Sequence, residues 1–201
     1  MSESKREQRR IALSCRRALS QEQRMRDSEA ICQTLLRLPE VCQAGVVMSY
    51  AAMWDEPNLT RLHEWLWQQG KQVVFPVTEG DGIMTAVQAM PGCQWRAGRY
   101  GICEPIGPTI DPAEIELILT PCVAFDAQCH RLGHGGGYYD RFFMKYQQAR
   151  CVVTAFEAQR LDVVCAEPLD HPADCVVTEK CVYKMCNEER NDGFNRKNTE
   201  K

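Results

Sequence analysis

The sequence predicts an α/β fold in three layers, a mainly parallel sheet between helices, on three observations. Four runs, at residues 45–50, 72–76, 115–119 and 151–155, are close to continuously apolar, as strands covered on both faces are, rather than alternating. Segments with helical spacing separate them. Strand, helix and strand follow one another between Gly45 and Pro76, within the ~30 residues of a right-handed parallel unit, whose ligands bind beyond the strand C-termini.

The elements follow in order. Residues 4–19 read as an Arg-rich helix with Ile11, Ala12, Cys15, Ala18 and Leu19 as its apolar stripe. Ser20-Gln21-Glu22-Gln23 reads as a capping box opening a second helix, with Met25, Ile31, Cys32, Leu35 and Leu36 apolar and Pro39 as its end. Beyond the first strand, Asn58 is expected to cap a helix over Leu59 to Gln69 that Gly70 closes. Residues 78–110 are rich in Gly and Pro, with one short strand near Met84 to Gln88. A helix is expected from Tyr138, with Phe142, Phe143 and Tyr146 as core, and Val176 to Thr178 as the last strand. With no internal repeat or linker, residues 1–186 read as a single domain, and the polar stretch 187–201 as a disordered tail.

Composition limits the partners. The 201 residues carry 24 basic and 27 acidic side chains, a balance that gives no reason to expect nucleic acid or a membrane, and a monomer or weak homodimer is expected. Eight Lys and Arg against three Glu in residues 1–26 fit either a local anionic ligand or a solvated helix face. Of the twelve cysteines none is spaced C-x-x-C, and Cys32, Cys122 and Cys151 replace small apolar residues, so they read as buried thiols of a reducing cytoplasm. The first residues lack the apolar stretch of a signal peptide. None of His63, His130, His134 and His171 forms a metal-ligand spacing with another.

The chemistry concentrates in Arg131-Leu132-Gly133-His134-Gly135-Gly136-Gly137-Tyr138-Tyr139-Asp140-Arg141. Strand, glycine loop and helix form an anion-binding layout: without side chains the backbone N–H groups approach phosphate oxygens, and the helix N-terminus adds unpaired N–H groups and a positive dipole end. The spacing fits neither the Walker pattern nor G-x-G-x-x-G, and a ligand-free glycine turn stays open as an alternative. Asp140 stands where a carboxylate can hold a Mg²⁺ that bridges phosphates. Lys5 and Arg9, four apart on one helix face, are within reach of a polyphosphate. Glu56 falls at a strand end, where it either accepts hydrogen bonds from a ligand or sits in a helix first turn. Tyr100 either stacks on a ring or covers the core edge.

Phe125-Asp126, Arg131-Leu132-Gly133 and Gly135 to Arg141 together resemble the signature of the 5-formyltetrahydrofolate cyclo-ligase family. The likeness extends over residues 5–180, with Cys103 where the family usually has proline and Leu169 where it usually has histidine. It implies a Rossmann-like open sheet flanked by helices. It also implies that Lys5, Arg6 and Arg9 contact ATP with the loop Gly133, His134, Gly135, Gly136, Gly137, Tyr138 and Tyr139. By the same likeness Ala51, Glu56 and Tyr100, with His134, Gly136 and Tyr138, meet the folate. Asp140 and Asp170 would hold Mg²⁺, with Asp174 at a second family aspartate, and Arg131 and Tyr138 would be catalytic.

The reaction so implied phosphorylates the formyl oxygen of 5-formyltetrahydrofolate from ATP, turning a poor leaving group into phosphate. Positioning and charge neutralisation dominate such chemistry, which suits a chain offering cations and carboxylates but no triad. Two other classes remain: a sensor domain that binds sugar phosphates without turning them over, and a sugar-phosphate isomerase, which needs an acid/base pair near the loop.

Overall fold

A computed structural model describes residues 4–80 and 82–185; the expected tail at 187–201 lies outside them. Helices α1 (Lys5–Ala18), α2 (Gln21–Leu35) and α3 (Pro39–Gln43) precede strand β1 (Val46–Met48). Helix α4 (Thr60–Gln68) leads into a hairpin of β2 (Gln72–Gly80) and β3 (Ile83–Gln88). Strands β4 (Trp95–Ala97) and β5 (Cys103–Pro105) form a small ribbon, and β6 (Thr109–Ile110) pairs with β3. After β7 (Leu117–Pro121), β8 (Ala124–Phe125) and β9 (Arg131–Leu132) make a second ribbon. The glycine loop, α5 (Tyr138–Lys145), β10 (Arg150–Thr154), β11 (Cys175–Val177) and β12 (Val182–Lys184) follow.

The main sheet has eight strands in the order β12-β11-β10-β7-β1-β2-β3-β6. From β11 to β2 every pairing is parallel, and the outer strands are antiparallel. Strand β2 lies on one side of β1 and β7 on the other, so the direction of winding reverses between β1 and β7. That reversal opens the crevice in which α/β sheets bind ligands.

Strand alternation explains why these strands read as unbroken apolar runs. Val47, Val73, Leu117, Leu119 and Val152 pack on one face with Ile31, Leu35, Leu62 and Leu66 of α2 and α4. Their neighbours Met48, Val74, Ile118, Cys151 and Val153 pack on the other face with Phe142 and Phe143 of α5. Both faces are therefore core, and the three-layer expectation holds. Truncating a fully buried residue such as Leu62 to Ala costs about 2–5 kcal/mol.

Several local expectations change. The buried face of α1 is Gln8, Ala12 and Arg16, whereas Cys15 and Ala18 are exposed; the helix docks by polar groups that an apolar stripe cannot reveal. Gln8 donates to the Val163 carbonyl (2.8 Å) and accepts from the Cys165 N–H (2.9 Å). Only half of the capping box forms: Ser20 Oγ accepts from Gln23 N–H (3.1 Å), but the Gln23 amide bonds Asp27 instead. Pro39 does not end α2, which stops at Leu35, but opens α3, where its missing N–H costs nothing. The N-cap of α4 is Leu59 rather than Asn58 and carries no capping side chain; Asn58 stands one residue earlier, its Oδ1 accepting from Thr60 N–H (2.8 Å).

Strand β2 runs past Pro76 to Gly80 because its pairing with β1 ends at Val74 and beyond it only β3 is needed. Strands β4, β5, β6, β9 and β12 were not anticipated. All eleven described cysteines are free thiols, with Cys32, Cys122 and Cys151 buried as expected.

Candidate active site

A cavity of about 630 Å³ lies beyond the ends of β1 and β7, lined on one side by Tyr50, Ala51 and Glu56 and on another by Pro121 and the loop Gly133–Gly137. It falls at the winding reversal.

The loop is shaped by its glycines. Gly135 (φ +99°) and Gly137 (φ +64°) occupy the left-handed region, and a Cβ at Gly136 would stand 2.8 Å from the Tyr138 ring. Gly133 has neither constraint, with no heavy atom nearer than 4.0 Å to a Cβ placed there. Gly137 opens α5 without a capping side chain. Among the described residues, no N–H group from His134 to Asp140 donates to an acceptor within the chain. These donors stand ready for an anion.

Helix α1 brings its cations to the same wall. Arg9 Nε donates to the Gly133 carbonyl (2.8 Å), which lays the guanidinium beside Gly135. Lys5 Nζ bonds Asp170 (2.6 Å) and pairs with Glu167 (3.1 Å). Burial pulls the Lys5 ammonium down, but these two carboxylates outweigh it and its pKa lies above the ordinary 10.5. Arg6 is exposed and does not line the cavity.

Arg131 is buried, its Nη2 2.5 Å from Asp140 Oδ1, and its Nε has no acceptor among the described residues. It lies 5.9 Å from the Tyr139 and Phe143 ring centres. Asp140 Oδ1 also accepts from His171 N–H (3.2 Å). Asp174 lies away from the cavity and accepts from the Cys151 N–H (2.7 Å).

On the opposite wall Glu56 is buried, and its Oε2 accepts from Met53 N–H (3.0 Å). Its Oε1 has Arg16 Nη1 at 3.6 Å and His134 Nε2 at 3.7 Å, beyond hydrogen-bond range, so one oxygen keeps accepting capacity. The neighbouring Tyr139 phenol is raised by burial and then by the Glu56 charge, with Arg131 opposing. Tyr50 fixes the start of this loop by donating to the Pro57 carbonyl (2.8 Å), and its oxygen also lies 2.8 Å from Thr154 Oγ1.

Tyr100 closes the mouth. It is 70% exposed yet held at φ +60°, with its hydroxyl 3.3 Å from that of Tyr138. A non-glycine residue in that region carries strain. The Tyr138 phenol is raised by that bond and by burial, against Arg99 and Arg141. Arg141 stacks over Tyr138 and donates to the carbonyls of Gly136 (2.5 Å) and Gly82 (3.2 Å), tying the loop to the β2–β3 turn.

Apart from Arg6 and Asp174, every expected site residue therefore meets in one cavity. Sequence reasoning missed Arg16, fully buried and bonded to Asp55 Oδ1 (3.0 Å). Its spacing from Ala12 and Gln8, four and eight residues along one face, was the available signal.

The family model of the 5-formyltetrahydrofolate cyclo-ligases matches residues 1–179. The Escherichia coli 5-formyltetrahydrofolate cyclo-ligase is 30% identical over 176 residues, covering 84% of this chain and 97% of the relative. The Haemophilus influenzae enzyme of the same name is 29% identical over 180 residues, covering 86% and 96%. The Aquifex aeolicus 5,10-methenyltetrahydrofolate synthetase structure superposes with a TM-score of 0.80 at 34% identity, covering 91% of this chain and 93% of that one. The Mycoplasma pneumoniae synthetase, at 23% identity and TM-score 0.74, shares the fold over 88% of this chain and 99% of its own. The chain thus belongs to the 5-formyltetrahydrofolate cyclo-ligase family and is an enzyme of that class.

Proposed function

We propose that residues 1–186 act as one domain that uses ATP, with Mg²⁺, to close 5-formyltetrahydrofolate into 5,10-methenyltetrahydrofolate, releasing ADP and phosphate. The observation that carries this reading is the juxtaposition, in one cavity, of a glycine loop with uncommitted N–H groups and a buried carboxylate with an uncommitted oxygen. The first suits a polyphosphate, the second the N–H groups of a pterin.

On this reading the loop, Lys5 and Arg9 hold the triphosphate, with Arg6 at most a distant charge. Ala51, Glu56 and Tyr100 hold the folate. A new bond joins the formyl oxygen to the γ-phosphorus as the bond to ADP breaks. N10 then attacks the formyl carbon, loses its proton to solvent, and the carbon–oxygen bond breaks with departure of phosphate. Arg131 spreads the charge of the transferring group, and the Tyr138 phenol donates a hydrogen bond at the junction of the two substrates.

Asp140 and Asp170 line the same wall and offer the hard oxygen donors that Mg²⁺ prefers. Each now faces a cation, Arg131 or Lys5, that a metal ion would partly replace. When bound, the ion would neutralise phosphate charge. The substrates are soluble small molecules, and a cytoplasmic monomer or weak homodimer suits them. No helix of the described residues is long and apolar enough to cross a membrane.

The test mixes purified protein with 5-formyltetrahydrofolate, ATP and Mg²⁺ and follows the near-UV absorbance of the methenyl product. ATP-dependent product that Asp140→Ala and Glu56→Ala abolish supports the proposal. Folded protein that makes none refutes it, and sugar-phosphate binding indifferent to Mg²⁺ would favour the sensor class.

A further inference from the structure

Helix α1 serves the nucleotide wall with Lys5 and Arg9, and two turns further along it sends one more cation into the interior. Arg16 is 0% exposed. Its Nη2 donates to Asp55 Oδ1 (3.0 Å), its Nη1 to the Cys122 carbonyl (3.3 Å), and Nη1 stands 3.6 Å from Glu56 Oε1. Arg17 adds a second, half-exposed guanidinium 3.6 Å from Asp55 Oδ2.

A buried ion pair is a poor device for stability alone, because apolar residues of similar volume do as well or better. Here the cation meets two successive carboxylates unequally. It bonds Asp55 directly and leaves Glu56 at ion-pair distance, so Glu56, which lines the cavity, has a neighbouring cation while its Oε1 accepts no hydrogen bond among the described residues. The planar guanidinium spans both carboxylates and a carbonyl of the segment after β7, a reach that the single ammonium of Lys lacks.

We infer that Arg16 is a positioning residue for Glu56: with Asp55 it fixes the loop after β1 so that the Glu56 carboxylate faces the folate. This rests on Glu56 binding folate as proposed above. It makes α1 a rigid rod joining the nucleotide wall to the folate wall.

The test uses the full chain carrying Arg16→Met together with Asp55→Asn, which removes the buried Arg16–Asp55 charge pair at similar volume. Two quantities are read: hydrogen exchange of the Met53 amide, which bonds Glu56 Oε2, and binding of 5-formyltetrahydrofolate and of ATP. The expected result is Met53 exchange faster by about tenfold or more, folate binding weaker by about tenfold or more, and ATP binding changed by less than about twofold. A folded double variant with exchange and folate affinity both at parent values overturns the inference. If the double variant does not fold, Arg16→Lys carries the test: weaker folate binding with faster Met53 exchange supports it, and unchanged values overturn it. If Glu56→Gln leaves folate binding unchanged, it is the folate role of Glu56 that fails, and Met53 exchange still decides whether Arg16 holds that carboxylate.

Discussion

The ammonium of Lys5 lies 2.6 Å from the carboxylate of Asp170, which joins the first turn of α1 to a loop 165 residues later in the chain. On the proposed reading this pair bounds the phosphate site. Removing the cation with Lys5→Met deletes one charge-assisted contact to the triphosphate, of about 1.5–3 kcal/mol, so KM for ATP rises by roughly 10- to 100-fold. Steady-state kinetics at fixed folate check this, and an unchanged KM would place Lys5 outside the site.

The same pair gives a pH signature. Because the folded pKa of Lys5 is raised above 10.5, its contribution to stability is whole below pH 10.5 and is lost as pH rises through the folded value. Urea unfolding of parent and Lys5→Met should converge at high pH. Curves that stay parallel there would contradict the assignment.

The glycines of the loop separate folding from binding. Gly133→Ala meets no steric conflict and should unfold at the parent temperature, yet bind ATP more weakly if the backbone there approaches phosphate. Gly137→Ala places a Cβ at φ +64° and 2.8 Å from the Arg141 guanidinium, costing about 1–2 kcal/mol. Thermal melts with nucleotide titrations distinguish the two.

At the cavity mouth, Tyr100→Gly should stabilise the protein by about 1 kcal/mol through relief of the left-handed strain. The same change should weaken folate binding, since the ring is lost. A less stable variant would show that the Tyr100–Tyr138 contact outweighs the strain.

Away from the site, His63 is buried, with Nε2 2.7 Å from Ser49 Oγ, and burial lowers its pKa from 6.5 to about 4. The unfolded chain takes up this proton first, so stability is whole above pH 6.5 and falls by roughly 3 kcal/mol as pH drops toward 4. Urea titrations at several pH values should show a shallower fall for His63→Gln. An equal slope would mean that His63 is not the group responsible.

The fold was legible where burial and apolar type coincide. Val47, Val73, Ile118 and Val152 announce their strands because both faces are covered. It was not legible where burial is polar: Arg16 and Gln8 carry the docking of α1, and no hydrophobic pattern marks them. Element ends followed local chemistry that the sequence expresses ambiguously, as with Pro39, which can stop one helix or start another. The candidate site was legible through the glycines at residues 133 and 135–137 together with the family resemblance, since a glycine loop by itself also fits a ligand-free turn. The distances that join this loop to Lys5, Glu56 and Asp170 depend on the winding reversal of the sheet, which brings together segments far apart in the chain.

The central claim is that phosphate is transferred to the formyl oxygen inside this cavity, and the fate of that oxygen tests it most directly. With ¹⁸O in the formyl group, turnover should deliver the label into inorganic phosphate, one atom per methenyl product formed. Label recovered in water, with unlabelled phosphate, would contradict the account.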